Sequence, residues 1–168
     1  FIKGAFSQYL SPTVIDQIVE NPDMLQLGGE KREMTPFFSD IQGFSTISEG
    51  LTPEELVQLL NEYLTAMCDI VSSYNGTIDK FEGDAIIAFW GAPLELPDHA
   101  TIACHASIDM QKRNEEMRKT LREQNRPMLY TRIGMSSGPV VVGNMGSADR
   151  MDYTMMGDVV NLAARLEG

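Results

Sequence analysis

"TIDKFEGDAIIAFWG", residues 77–91, sets two apolar-rich runs either side of Glu82-Gly83-Asp84, with Lys80 just before the break. Short runs rich in Ile, Phe and Trp around a glycine-bearing break predict a β-hairpin turning at Glu82–Asp84. Charge at the tip of a hairpin whose arms read as buried is either a solvated turn or a place where something charged is held. The segments around it bear on that choice.

Upstream, "PFFSD" (36–40) reads as a strand ending in Asp40, with "LQLGGEKREMT" as a polar linker into it. Pro36 donates no hydrogen bond, so it is expected at the start or edge of that strand. "IQGFS" follows as a turn carrying Gly43. Thr52-Pro53-Glu54-Glu55 is a capping box with proline at the first helical position. Leu56, Leu59, Leu60, Leu64, Met67, Ile70 and Val71 then form a helical stripe that ends at Asn75-Gly76. Downstream, Asp98 caps a helix running to about Asn125, whose second half is charged and reads as solvated. "LYTRIGMSSGPVVVGNMG" (129–146) predicts a second hairpin turning at Ser137–Pro139, and "RMDYTMMG" (150–157) a further strand. Asp158 is expected to cap a last helix. Near the start, Ser11 and Pro12 open a short amphipathic helix with Val14, Ile15, Ile18 and Val19 on its apolar side. The order implies an α+β fold: a mostly antiparallel sheet flanked by helices.

The 168 residues suffice for one domain with its own core. A net charge of −11 argues against a nucleic-acid binder and against a general binder of anionic membranes. An acidic chain binds a polyphosphate only if cations neutralise both. Cys68 and Cys104 lie in helical patterns and read as buried thiols of a reducing compartment. No apolar run approaches the roughly 20 residues that cross a bilayer, and no signal peptide is visible. The sequence opens on Phe1, which points to a longer parent; the expected location is cytoplasmic, with any membrane anchor elsewhere in that parent.

Two features bear on chemistry. If the strands are neighbours, Asp40 and Asp84 share one sheet edge, and two carboxylates without Cys or His suit a hard ion such as Mg²⁺ or Mn²⁺. On spacing alone, a turn-stabilising Asp40 and a solvated Asp84 stand level with that reading. In the last helix Asn161 and Arg165, four apart on one face, could steady charge on a transferring phosphate; a surface arginine with a capping asparagine nearby is the commoner case. His99 and His105 are six apart and share no ligand face.

Together, "FFSDIQGFS" (37–45), "LVQLLNEYL" (56–64), "DKFEGDAIIAFWGAP" (79–93), "IGMSSGPVVVGNMGS" (133–147) and "RMDYTMMGDVVNLAARLE" (150–167) resemble the class III nucleotidyl cyclase catalytic domain, bacterial type. The resemblance implies a ferredoxin-like, palm-type fold over 33–168 after a helical lead-in at 1–32, with closing strands lying beyond Gly168. It implies an adenylyl cyclase that makes 3′,5′-cyclic AMP and pyrophosphate from ATP. Two Mg²⁺ or Mn²⁺ ions per site would be held by Asp40, Asp84 and the carbonyl of Ile41. Gly43, Phe44 and Ser45 would hold the triphosphate, and Lys80 and Thr154 would read the base. Asn161 would orient the ribose, and Arg165 would stabilise the phosphorus centre. Sites would be shared between the chains of a homodimer, under an upstream sensor domain. Thr154, where many adenylyl cyclases carry Asp, resembles the bicarbonate-responsive members. The family's phosphate-gripping lysine falls after Gly168, so catalysis by this stretch alone is expected to be impaired. Guanylyl cyclase activity and a non-catalytic regulatory module are the alternatives.

Overall fold

The computed structural model describes residues 12–25 and 27–168. Helix α1 (Pro12–Glu20) and a 3₁₀ turn (Pro22–Leu25) precede β1 (Gly28–Ile41), α2 (Phe44–Glu49) and α3 (Pro53–Ser73). The hairpin β2 (Thr77–Glu82) and β3 (Ala85–Trp90) leads to α4 (His99–Glu123). Then come β4 (Thr131–Met135), β5 (Gly138–Ser147), β6 (Arg150–Met156) and α5 (Asp158–Glu167). Ser11, expected to cap α1, lies outside the described residues.

Everything hangs on β1, which is 14 residues long and pairs on both edges. Its first half runs antiparallel to β5, from Gly28↔Asn144 to Met34↔Gly138. Its second half pairs with β4, from Phe37↔Met135 to Ile41↔Thr131, and with β3 on the other side, from Thr35↔Trp90 to Ser39↔Ile86. The stretch expected as a linker is therefore strand, and Pro36 lies mid-strand. Its missing N–H falls where the partner changes from β5 to β4, so the break in the ladder accommodates it. The hairpin expected at Ser137–Pro139 is also corrected. β4 and β5 lie end to end along β1, and β5 instead forms a hairpin with β6, closed by Ser147↔Arg150. A Ser-Ser-Gly break marks a kink as readily as a reversal. Here Ser137 Oγ lies 2.7 Å from Thr35 Oγ1, and Ser136 N–H donates to Pro36 O at 3.4 Å, pinning the kink to β1.

The kinked sheet has two cores. On one face α3 and α4 cover Phe37, Ile86, Ala88 and Trp90 with Leu59, Tyr63, Met67, Val71 and Met110. The capping box is formed: Thr52 Oγ1 accepts from Glu55 N–H, and Glu55 Oε2 accepts from Thr52 N–H. The second core, Met34, Ile87, Phe89, Val140, Val142 and Met155, lies on the other face, with Val159 and Val160 of α5 against it. Helix α5 also crosses β4 so closely that a Cβ on Gly134 would lie 2.2 Å from Glu167 N. Only glycine admits that approach.

Three smaller expectations change. Gly157 occupies the N-cap position of α5, so Asp158 is its first helical residue. Cys104 is exposed and Cys68 half-buried, both as free thiols. The outer half of β2 is exposed, Phe81 included, whereas β3 is buried almost throughout.

Candidate active site

The hairpin β2–β3 turns at Gly83 and Asp84, Gly83 being in the left-handed region at φ 61°. Because β3 pairs with the second half of β1, this turn reaches the C-terminal end of β1. There Ile41 N–H donates to Asp84 Oδ2 at 2.7 Å. Asp40, Ile41 and Asp84 are thus brought together as expected. Directly after them Gly43, left-handed at φ 67°, turns the chain into α2 without a side-chain cap; in the first turn Ser45 is exposed, while Phe44 is half-buried and packs against the core.

Two residues that the sequence reading missed complete this edge. Arg132, directly opposite Asp40 in the β1–β4 register, donates to it twice, Nε to Oδ1 at 2.8 Å and Nη2 to Oδ2 at 2.6 Å. The same Nη2 lies 3.4 Å from Glu167 Oε1. Thr131 fixes the position of β4: its hydroxyl meets Tyr63 OH at 2.9 Å and Asn114 Nδ2 at 2.7 Å, and its carbonyl accepts from Gln111. Arg132's fork holds the Asp40 carboxyl below its usual range, outweighing desolvation. Glu167 is pushed the other way, to about 7, first by burial and then by Asp40 against it, with Asp84 adding to the repulsion. One guanidinium stands among three carboxylates.

That surplus of negative oxygen is what a hard divalent cation would compensate, so the donor set fits Mg²⁺ or Mn²⁺. Among the described residues no group of three or more His, Cys, Asp or Glu has the arrangement of a closed metal cage. An ion on Asp40 and Asp84 would complete its shell from backbone oxygen, water and substrate, as Mg²⁺ commonly does at phosphate sites.

The base-reading candidates form a second group. Thr154 of β6 donates its hydroxyl to Asp79 Oδ2 at 2.5 Å, and Lys80 Nζ lies 3.7 Å from Asp79 Oδ1. β2 and β6 are the opposite ends of the sheet order β2-β3-β1-β5-β6, so curling of the sheet is what makes them meet. Asp79 sits at a β-bulge between Ile78 and Lys80, a device that re-aims side chains. Its side chain is 2% exposed, against 43% for Lys80. Burial raises the Asp79 carboxyl, while the Thr154 hydroxyl and the Lys80 ammonium pull it back.

The third group is apart from the first. Ala163 and Glu167 mark the side of α5 that packs on β4 and reaches Arg132. At 100° per residue, Asn161 and Arg165 are each 200° from Ala163, and both are exposed. They share a face turned away from the Asp40 edge.

The family model described as the adenylate and guanylate cyclase catalytic domain matches residues 29–168. The chain belongs to that family. Adenylate cyclase 1 of Rhizobium meliloti (strain 1021) is 37% identical over 97% of this chain and 24% of its own length. The chain therefore spans about a quarter of that curated relative. The crystal structure of the adenylyl cyclase CyaB from P. aeruginosa is 43% identical with a TM-score of 0.79, covering 84% of this chain and 74% of that one. A guanylyl cyclase crystal structure matches at 40% identity and the same TM-score, covering 84% and 72%. Cyclases of both base preferences are thus about equally similar. The overall fold leaves the choice of purine open.

Proposed function

We propose that this cyclase domain converts ATP to 3′,5′-cyclic AMP and pyrophosphate at sites shared by two copies of the chain. The observation that carries the shared site is the outward face of α5. Asn161 and Arg165 point away from Asp40 and Asp84, so a second chain is needed to bring both sets to one substrate. Leu162 and Leu166 on α5 are 43% and 57% exposed, and the cross-strand pair Val141 and Met156 is 42% and 59% exposed. An apolar surface around an exposed arginine suits burial against another copy.

In this reading Asp40 and Asp84 hold Mg²⁺ or Mn²⁺, joined by the Ile41 carbonyl. When bound, the ions neutralise phosphate charge and lower the pKa of the ribose 3′-hydroxyl. The turn at Gly43–Ser45 offers backbone N–H groups to the triphosphate. Lys80 donates to adenine N1 and Thr154 accepts from the N6 amine. Asn161 orients the ribose, and Arg165 stabilises charge as the 3′-oxygen attacks the α-phosphorus and pyrophosphate departs. The similarity to a guanylyl cyclase makes GTP the alternative substrate; Lys80 and Thr154 favour ATP. Among the described residues no helix is long and apolar enough to cross a membrane.

The test is cyclic AMP formation with Mn²⁺ across protein concentrations, beside a mixture of Asp40→Ala and Arg165→Ala. A specific activity that rises with concentration, and partial recovery in the mixture of two inactive variants, are the expected results. Full activity at high dilution, with no recovery on mixing, would place the whole site within one chain.

A further inference from the structure

A threonine hydroxyl is an ambiguous reader of purines. It has one proton to give and two lone pairs that accept, and it rotates to suit its partner. It can accept from the N6 amine of adenine or donate to O6 of guanine equally well. Something else must fix its direction.

The buried carboxylate of Asp79 is placed to do so. The Thr154 proton points at Asp79 Oδ2, 2.5 Å away. With that proton committed, only lone pairs remain for a ligand. The other oxygen, Asp79 Oδ1, has no hydrogen-bond partner, and the Lys80 ammonium stands 3.7 Å from it. One carboxylate therefore touches both base-reading side chains. In a regular strand the side chains of residues 79 and 80 would point to opposite faces; the bulge between Ile78 and Lys80 relaxes that alternation. An anion that is 2% exposed, set in a bulge and held by one hydroxyl, costs stability to bury. A clasp between two sheet edges needs no charge.

We propose that Asp79 is a positioning residue for purine selectivity, turning Thr154 into an obligate acceptor and steadying Lys80, so that the pocket takes a base with an exocyclic amine and a ring-nitrogen acceptor. This rests on the reading of Lys80 and Thr154 as the base-reading pair. Asp79 itself touches no substrate. Substitution by Asn keeps the size but removes the obligation: its amide can donate to Thr154, whose proton is then free to meet O6.

The experiment measures kcat/KM for ATP and GTP, with Mn²⁺, on the same preparations of wild type, Asp79→Asn, Asp79→Ala and Thr154→Val. Competitive binding of non-hydrolysable ATP and GTP analogues is measured in parallel. Each ratio is internal to one preparation, so a partly folded variant does not distort it. Wild type is expected to favour ATP, and both Asp79 variants to narrow the ratio about tenfold or more, as losing one directed hydrogen bond implies. In the Thr154→Val background, adding Asp79→Asn is expected to leave the ratio where Thr154→Val put it. A wild-type preference for ATP that survives in both Asp79 variants overturns this inference and leaves the base-reading pair standing. No wild-type preference, in turnover or in analogue binding, overturns both. Lower activity or stability at an unchanged ratio shows Asp79 to be a clasp only, which also overturns the inference.

Discussion

Two carboxylate clusters of this domain are built on opposite principles. At the end of β1, Asp40, Asp84 and Glu167 are partly open to solvent and outnumber the one guanidinium between them. At the curled edge, Asp79 is shut away, a single charge answered by one hydroxyl and one ammonium. A cluster that is overcharged and accessible can exchange cations, because a cation entering it relieves repulsion and keeps its water. A buried, balanced cluster cannot. It instead holds the direction of a hydrogen bond, which open groups lose to water. Both contain aspartate in a strand, and their surroundings decide what the aspartate does.

The comparison breaks most sharply at Asp84. Asp84→Ala removes a proposed ion ligand and leaves the Ile41 N–H without its carboxylate partner, so activity should fall about 100-fold or more. Stability should fall by roughly 1–3 kcal/mol. Mn²⁺-dependent thermal stabilisation should vanish with it, while analogue binding keeps its adenine preference. If the variant still melts higher with Mn²⁺, the open cluster is not the cation site.

Lys80→Glu with Thr154→Cys probes the other side. The ratio of ATP to GTP turnover should move toward GTP by about 10-fold or more, with the dependence on Mn²⁺ concentration unchanged. A shift in metal dependence would mean that the two clusters are not separable. Gly134→Ala tests the frame that separates them, since its methyl would meet the backbone of Ala163 and Glu167. A cost on the order of 3 kcal/mol is expected from chemical denaturation, with α5 displaced from β4.

The smallest effect concerns pH. Glu167 has its folded-state pKa raised from 4.5 to about 7. Its contribution to stability is then fully present below the unfolded value and lost as pH rises through about 7. Urea midpoints in chelator should therefore decline across that window in wild type, and less so in Glu167→Gln. Asp40 works in the opposite sense, its lowered carboxyl losing stability only as pH falls into the acid range. A wild-type curve as flat as that of the variant would show that Glu167 is not squeezed by its neighbours.

Much of this was written in local sequence. The capping box at Thr52–Glu55, the α3 stripe and the turns carrying Gly43 and Gly83 follow from residue type and short spacing, because each rests on contacts within a few residues. The motifs likewise named Asp40, Asp84, Asn161 and Arg165. Strand register was not legible. "SSG" between two apolar runs does not say whether the chain reverses or merely bends, and only pairing with β1 decided it. Arg132 looked like any polar residue of a strand until register put it opposite Asp40, and Glu167 like a frayed helix end until Gly134 let α5 come close. The Asp79–Thr154 pair lay furthest from view, 75 residues apart on strands at opposite ends of the sheet order. The sequence by itself singled out candidates for binding a cation, reading a base and steadying a phosphate. The tertiary structure alone decided which met and in which direction their hydrogen bonds run, because curl and register are properties of the whole sheet rather than of any segment in it.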